Sequence, residues 1–145
     1  MKSEPNRQWV LAKRPEELLS EDHFTYQEAI IRPLQNEQFL VEVSYLSLDP
    51  AQRVWAEMDA YMPAVELGSV MRGLGMRVVV KSRNPAFKEG DIVQGMTGWQ
   101  SHVVTDARSF SQVPANSGLP LLSICLLYTS PSPRDRTRSR MPSSA

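Results

Sequence analysis

The chain has 145 residues, of which 41% are hydrophobic and 22% charged, enough apolar material for one core under an ordinary polar surface. Sixteen basic residues balance sixteen acidic ones, and a net charge of zero gives no electrostatic support to a nucleic-acid or anionic-membrane partner. No apolar run approaches the roughly 20 residues that span a bilayer, the opening MKSEPNRQWVLAKRPEE lacks a signal peptide's apolar stretch, and the single cysteine, Cys125, cannot form an internal disulfide, so a cytoplasmic origin is expected.

In chain order, RQWVLA starts a short extended segment, and FTYQEAII (24–31) brings aromatic and branched residues before Arg32-Pro33. QFLVEVSYLSL (38–48) alternates with a period of two. Phe39, Val41, Val43 and Tyr45 share one side, the pattern of a half-buried strand. Asp49-Pro50 reads as a helix N-cap with proline in the first turn, where its missing N–H costs nothing. Arg53, Trp55 and Glu57 continue a short helix, and AYMPAVELGSV follows as a loop. VMRGLGMRVVVKS resumes as a strand, with Gly73 and Gly75 marking a bulge or bend. Turns at Asn84-Pro85 and Glu89-Gly90-Asp91 precede strands at 92–96 and 99–105, and FSQVP ends the set. Gly90 allows the positive φ of a hairpin turn. Many short strands with one short helix imply a mainly β domain, a small curled sheet closing into a partly open barrel.

Residues 124–145 read in two ways. As protein, Arg134, Arg136, Arg138 and Arg140 with two Ser-Pro pairs form a disordered basic tail. As translated DNA, codons that give 124–135 resemble, from the last base of the Ile124 codon onward, a transposon-type sequencing adapter, and those for 139–145 resemble the outer end of that adapter in the same frame. On the second reading the domain is 1–123 and the tail is an artefact. Cys125 then drops out. The tail holds four Arg and one Asp, which leaves 12 basic and 15 acidic residues in 1–124, a net charge of −3.

The residues exclude several chemistries. His23 and His102 are the only histidines, and zinc sites need three or four ligands drawn mostly from Cys and His, so no zinc is expected. Gly73-Leu74-Gly75 lacks the third glycine and following helix of a dinucleotide loop, because Met76-Arg77-Val78-Val79-Val80 continues as a strand. No G-x-S-x-G nucleophile elbow occurs.

Five stretches carry a resemblance: NRQWVLAKRP (6–15), VSYLSLDPAQRVW (43–55), VELGSVMRG (65–73), FKEGDIVQGMTGWQSHVV (87–104) and GLPL (118–121). In this order they resemble the N-terminal domain of the zinc-independent medium-chain dehydrogenase/reductases, in the leukotriene/prostaglandin, alkenal double-bond and curcumin reductase branch. The resemblance implies a GroES-like partly open β-barrel with one or two short helices, truncated before a Rossmann domain. It also implies NADP(H) bound mainly by that missing domain, a small enone or enal as substrate, a parent that forms homodimers, and a fragment inactive by itself. The family reduces the C=C bond of α,β-unsaturated ketones or aldehydes by hydride transfer.

Asp49-Pro50-Ala51-Gln52-Arg53 matches the family's D-P-x-x-R stretch at the cleft between the two domains. By the same resemblance Asp49, Ala51, Arg53, Tyr61, Met71, Trp99 and Gln100 are the substrate-cleft residues. The bland alternatives are that Trp99 is core and that Arg53 pairs with a nearby carboxylate. Alanine at 51 lacks the hydroxyl that many members place there. Val54, Met76-Arg77 and His102 also depart from the family's usual residues. Trp99 and Met71 are expected to stand wet in the isolated domain. A stand-alone β-barrel that binds a partner without catalysis is the alternative function.

Overall fold

The computed structural model describes residues 4–114. The expectations for Cys125, for GLPL and for the adapter-like tail lie outside the described residues.

Among the described residues, seven strands and one α-helix form: β1 (Asn6–Leu11), β2 (Phe24–Ala29), β3 (Phe39–Leu46), α1 (Pro50–Glu57), β4 (Leu74–Ser82), β5 (Ile92–Met96), β6 (His102–Thr105) and β7 (Phe110–Gln112). Single 3-10 turns occupy Glu21–His23 and Ala107–Ser109. β1 and β2 make a two-stranded antiparallel ribbon, and the other five strands form a sheet in the order β6-β3-β4-β5-β7. The sheets curl around their core without closing into a barrel, as the partly open reading expects. No helix among the described residues is long and apolar enough to cross a membrane.

The alternation expected for β3 holds only in its first half. Phe39 and Val41 are fully buried and Val43 is half-buried, but Tyr45 is 37% exposed. The register explains this. Val43 faces Arg77 and Tyr45 faces Met76, which leaves Ser44 as an extra residue on β3. Such a bulge re-aims every side chain after it. A second irregularity lies opposite, where Leu40 pairs Lys81 but Val41 pairs Val79, so Val80 is extra on β4. The bulges therefore fall at Ser44 and Val80, and not at Gly73 or Gly75. Those glycines are sites of close approach instead. A Cβ on Gly75 would stand 2.9 Å from the Tyr45 carbonyl oxygen and on top of the Thr97 hydroxyl.

The strand expected over 99–105 begins only at His102. Residues 99–101 turn aside to bond β1, with Trp9 N–H donating to the Trp99 carbonyl (2.9 Å) and Ser101 N–H to the Arg7 carbonyl (2.8 Å). β2 ends at Ala29 because Asn6, its partner there, is the first residue of β1.

Two larger apolar clusters, with a smaller one of Met76, Val113 and Ile92, hold the fold. Phe39 stacks on Phe87 at 4.3 Å and meets Phe110 edge-on at 5.9 Å, with Val41, Val79 and Val93 around them. Leu11, Trp55, Ala56, Val65 and Met71 form the second cluster beneath α1. Such aromatic contacts add about 0.5–1.5 kcal/mol beyond area burial.

Gly95 sits where β5 passes β7. A Cβ there would run into the Ser109 carbonyl oxygen and lie 2.8 Å from the Phe110 ring. Both obstacles are anchored, so Gly95→Ala should destabilise the fold by about 1–3 kcal/mol, against near-neutrality for Ser111→Ala on the exposed face of β7. Equal urea midpoints for the two variants would show that β7 does not pack at this distance.

Candidate functional site

Three segments converge beside the N-terminal turn of α1: the turn itself, the start of β4, and residues 97–100. Asp49 occupies the N-cap position with Pro50 first in the helix, as expected. Its carboxylate does not cap the helix, however. It accepts the Ser47 hydroxyl at 2.8 Å, and the first turn closes through the Asp49 carbonyl, which accepts from Gln52 N–H at 3.0 Å. Gln52 is 5% exposed, and its Nε2 donates to the Ser47 carbonyl at 2.6 Å. Gly73 lies against it: a Cβ there would stand 3.3 Å from Gln52 Nε2 and 2.9 Å from both Cδ1 and Nε1 of Trp99.

Trp99 is half-buried. Its ring packs on Phe24 at 5.0 Å, and its Nε1–H is buried without a partner among the described residues. The indole also lines an open, mostly apolar cleft of about 360 Å³ with Arg7, Trp9, Tyr26, Val43 and Leu46. Across the β1–β2 ribbon, Trp9 meets Tyr26 edge-on at 5.5 Å. Apolar walls with few polar groups suit a flat organic ligand. The Tyr26 phenol is held above the ordinary tyrosine value, first by loss of solvation and then by its 3.1 Å hydrogen bond to Glu28.

The expected site residues divide. Trp99 and Gln100 reach the cleft. Gln100 is nevertheless committed to the fold. Its Oε1 accepts from Asn6 Nδ2 (2.8 Å) and Gln8 Nε2 (3.0 Å), and its own Nε2 donates to the Thr97 carbonyl (2.7 Å). Arg53 spends its guanidinium on Glu57 (2.7 Å) and the Glu17 carbonyl (2.9 Å), which is the carboxylate pairing the sequence left open. Ala51 packs on the cluster under α1. Met71 belongs to that cluster too at 1% exposure, so the expectation that it stands wet is corrected: the helix covers it. Tyr61 is 76% exposed and touches Trp55 edge-on. The exposed apolar residues of this region are Leu48, Val54, Met58, Tyr61 and Leu67, on α1 and its flanks.

Sequence reasoning passed over Asn6, Gln52 and the contact role of Gly73. Gln52 carried a signal, since it stands three and four residues before Trp55 and Ala56 and shares their buried face. Asn6 carried none, because its partner Gln100 is 94 residues away. Among the described residues no group of three or more His, Cys, Asp or Glu is placed to hold a metal ion.

The Asn6 amide is 8% exposed, and its Oδ1 also accepts the His102 backbone N–H at 3.0 Å. Asn6→Ala should cost about 1–3 kcal/mol by stranding that donor and removing one of the two donors to Gln100 Oε1, read as a lowered denaturation midpoint; an unchanged midpoint would remove the network from the account. Tyr26 gives a pH test. The folded state holds the phenolic proton more tightly than an unfolded chain with its tyrosine near 10.0, so this contribution to stability is present below that pH and lost as pH rises beyond it. An ultraviolet titration should show Tyr26 ionising above ordinary tyrosine, with Glu28→Gln moving it back part of the way.

Residues 7–113 match the family described as the N-terminal domain of oxidoreductase. The NADPH-dependent curcumin reductase of Escherichia coli K12 is 37% identical over 101 residues, 69% of this chain and 29% of that protein. Prostaglandin reductase 1 of Rattus norvegicus is 34% identical over 107 residues, 74% of this chain and 31% of that one. Among solved structures, CurA of Vibrio vulnificus in complex with NADPH superposes with a TM-score of 0.69 at 30% identity, covering 73% of this chain and 32% of that one. The chain thus spans about 30% of the length of the curated relatives it matches. It belongs to the family of oxidoreductase N-terminal domains, in the zinc-independent branch of the medium-chain dehydrogenase/reductases.

Proposed function

We propose that this chain is the substrate-side domain of an NADP(H)-dependent reductase that saturates the C=C bond of α,β-unsaturated ketones or aldehydes. The observation that carries the reading is the Trp99 cleft, a mostly apolar, aromatic-walled recess in a domain whose relatives are named an NADPH-dependent curcumin reductase, prostaglandin reductase 1 and an NADP(+)-dependent 2-alkenal reductase.

The described residues fit one wall of such a site and do not fit the cofactor's phosphates. Gly73 borders β4 and Gly75 lies inside it, with no helix following. The one α-helix among the described residues opens on the Asp49 carboxylate, which repels a phosphate where a helix dipole would otherwise attract it. The pyrophosphate therefore falls to a domain beyond these residues. NADPH, when bound, supplies the hydride to the β-carbon.

This domain's own work is to seat a planar conjugated substrate against Trp99 and to exclude water from it. Negative charge develops on the carbonyl oxygen during reduction, and an aimed hydrogen-bond donor stabilises it. Ala51 has no such donor, and the donors of Arg53 and Gln100 are already engaged as described. Two donors of the expected set have no partner among the described residues: the Tyr61 hydroxyl, which lies outside the residues lining the cleft, and the Trp99 Nε1–H, whose indole lines it. Residues 1–123 are taken as the natural part and 124–145 as translated adapter.

The test is the product of the complete gene, read in genomic DNA past the Ser123 codon. A glycine-rich strand-turn-helix downstream, with NADPH consumption dependent on an enone or enal and preferred over NADH, is the expected result. A natural stop codon after the printed tail, or a full-length product that oxidises only alcohols, would sink the proposal.

A further inference from the structure

Gly73 takes no part in the expected site, yet its bare Cα stands against the edge of the one aromatic ring shared by the cleft and the core. A Cβ at this position would lie 2.9 Å from Cδ1 and Nε1 of Trp99, closer than real Cβ atoms come. The obstacle is not a flexible side-chain end. The indole is a rigid ring, and its backbone is fixed by two hydrogen bonds, Trp99 N–H to the Met71 carbonyl at 2.8 Å and Trp9 N–H to the Trp99 carbonyl at 2.9 Å, while the preceding Gly98 N–H donates to the Gly73 carbonyl at 3.0 Å. Gly98, the residue before Trp99, holds φ of 71°, which pins the turn that presents the ring. Gln52 Nε2 closes the same spot at 3.3 Å and is itself held by the Ser47 carbonyl. With the backbone and Gln52 anchored, relief of such a contact requires the whole indole to turn about its side-chain torsions, away from Gly73 and on the side where it lines the cleft.

We propose that Gly73 is a positioning residue for Trp99, and that its missing side chain sets how far the indole stands into the cleft and hence how bulky a substrate the cleft admits. The substrate consequence rests on the reductase reading above; the position of the indole does not. A methyl at Gly73 shifts the ring, narrows a recess of about 360 Å³, and excludes β-substituted enones before small enals. A misfit of one methylene in an apolar pocket changes discrimination by about tenfold or more.

The experiment uses the full-length protein labelled with 5-fluorotryptophan, in the wild type, Gly73→Ala, Trp99→Phe and the double variant. Trp99→Phe assigns the Trp99 fluorine resonance. Gly73→Ala is expected to move that resonance and leave the Trp9 resonance in place. It should also lower kcat/KM for a bulky β-aryl enone about tenfold relative to a small enal, mainly through KM, and this added discrimination should vanish on the Trp99→Phe background. An unmoved Trp99 resonance overturns the inference, and so does a moved resonance with unchanged discrimination. If wild-type protein reduces none of the series, the reductase reading fails while the fluorine resonance still decides for or against Gly73. If Gly73→Ala does not fold, recovery of folding in the double variant supports the clash with the indole, and failure of both variants overturns it.

Discussion

The structure depends on the way β1 is bonded along both of its edges. One edge pairs with β2 over six residues, from Asn6 opposite Ala29 to Leu11 opposite Phe24. The other is held by two separate segments. Residues 99–101 bond Arg7 and Trp9, and the 68–71 segment bonds Trp9 and Leu11, through Met71 N–H to the Trp9 carbonyl and Leu11 N–H to the Ser69 carbonyl at 2.9 Å each. The same two segments bond each other through Trp99 N–H and the Met71 carbonyl. A two-stranded ribbon is marginal in water by itself. Here it is stitched to the larger sheet, and its buried backbone groups find partners.

That stitching creates the cleft. Because 99–101 turn to bond β1, with the Ser101 carbonyl still accepting the Val43 N–H of β3 at 2.8 Å, Trp99 comes to lie between Phe24 of the ribbon and the glycine-rich approach to β4. The amides of Asn6, Gln8 and Gln27 then meet Gln100 in a chain of hydrogen bonds, Gln27 donating to Gln8 at 2.9 Å and Gln8 to Gln100 at 3.0 Å. A partly buried amide set of this kind specifies one register, since a slip strands several donors at once. Gln100 is therefore a strut of the cleft wall, and its neighbour Trp99 is the wall's surface.

The helix turns the same logic outward. Gln52, Trp55 and Ala56 are buried, while Val54, Met58 and the nearby Leu48 and Tyr61 face away from the core. Arg53, bound to Glu57 and to the Glu17 carbonyl, ties the helix to the 12–20 loop instead of reaching toward a ligand. A half-buried i,i+4 helical pair of this kind contributes little to stability, about 0.3–0.5 kcal/mol, so its effect is to orient the loop.

Local pattern in the sequence determined the elements. The alternation through Val41, the Asp49-Pro50 start of α1, the turn at Gly90 and the run of short strands with one helix are each encoded within a few neighbouring residues, and each appears in the fold. With two histidines and no cysteine before residue 115, the sequence likewise offers few of the side chains that zinc sites use. Tertiary structure alone decided where the β3 alternation breaks at Ser44, why 99–101 bridge β1 and β3 instead of extending β6, that Met71 is covered, that Gln100 and Arg53 are already engaged, and that Gly73 faces an indole. The physical reason is range. Propensity and periodicity act over three or four residues, whereas a hydrogen bond between Asn6 and Gln100 or a contact between Gly73 and Trp99 joins positions whose separation leaves no periodic trace in the chain.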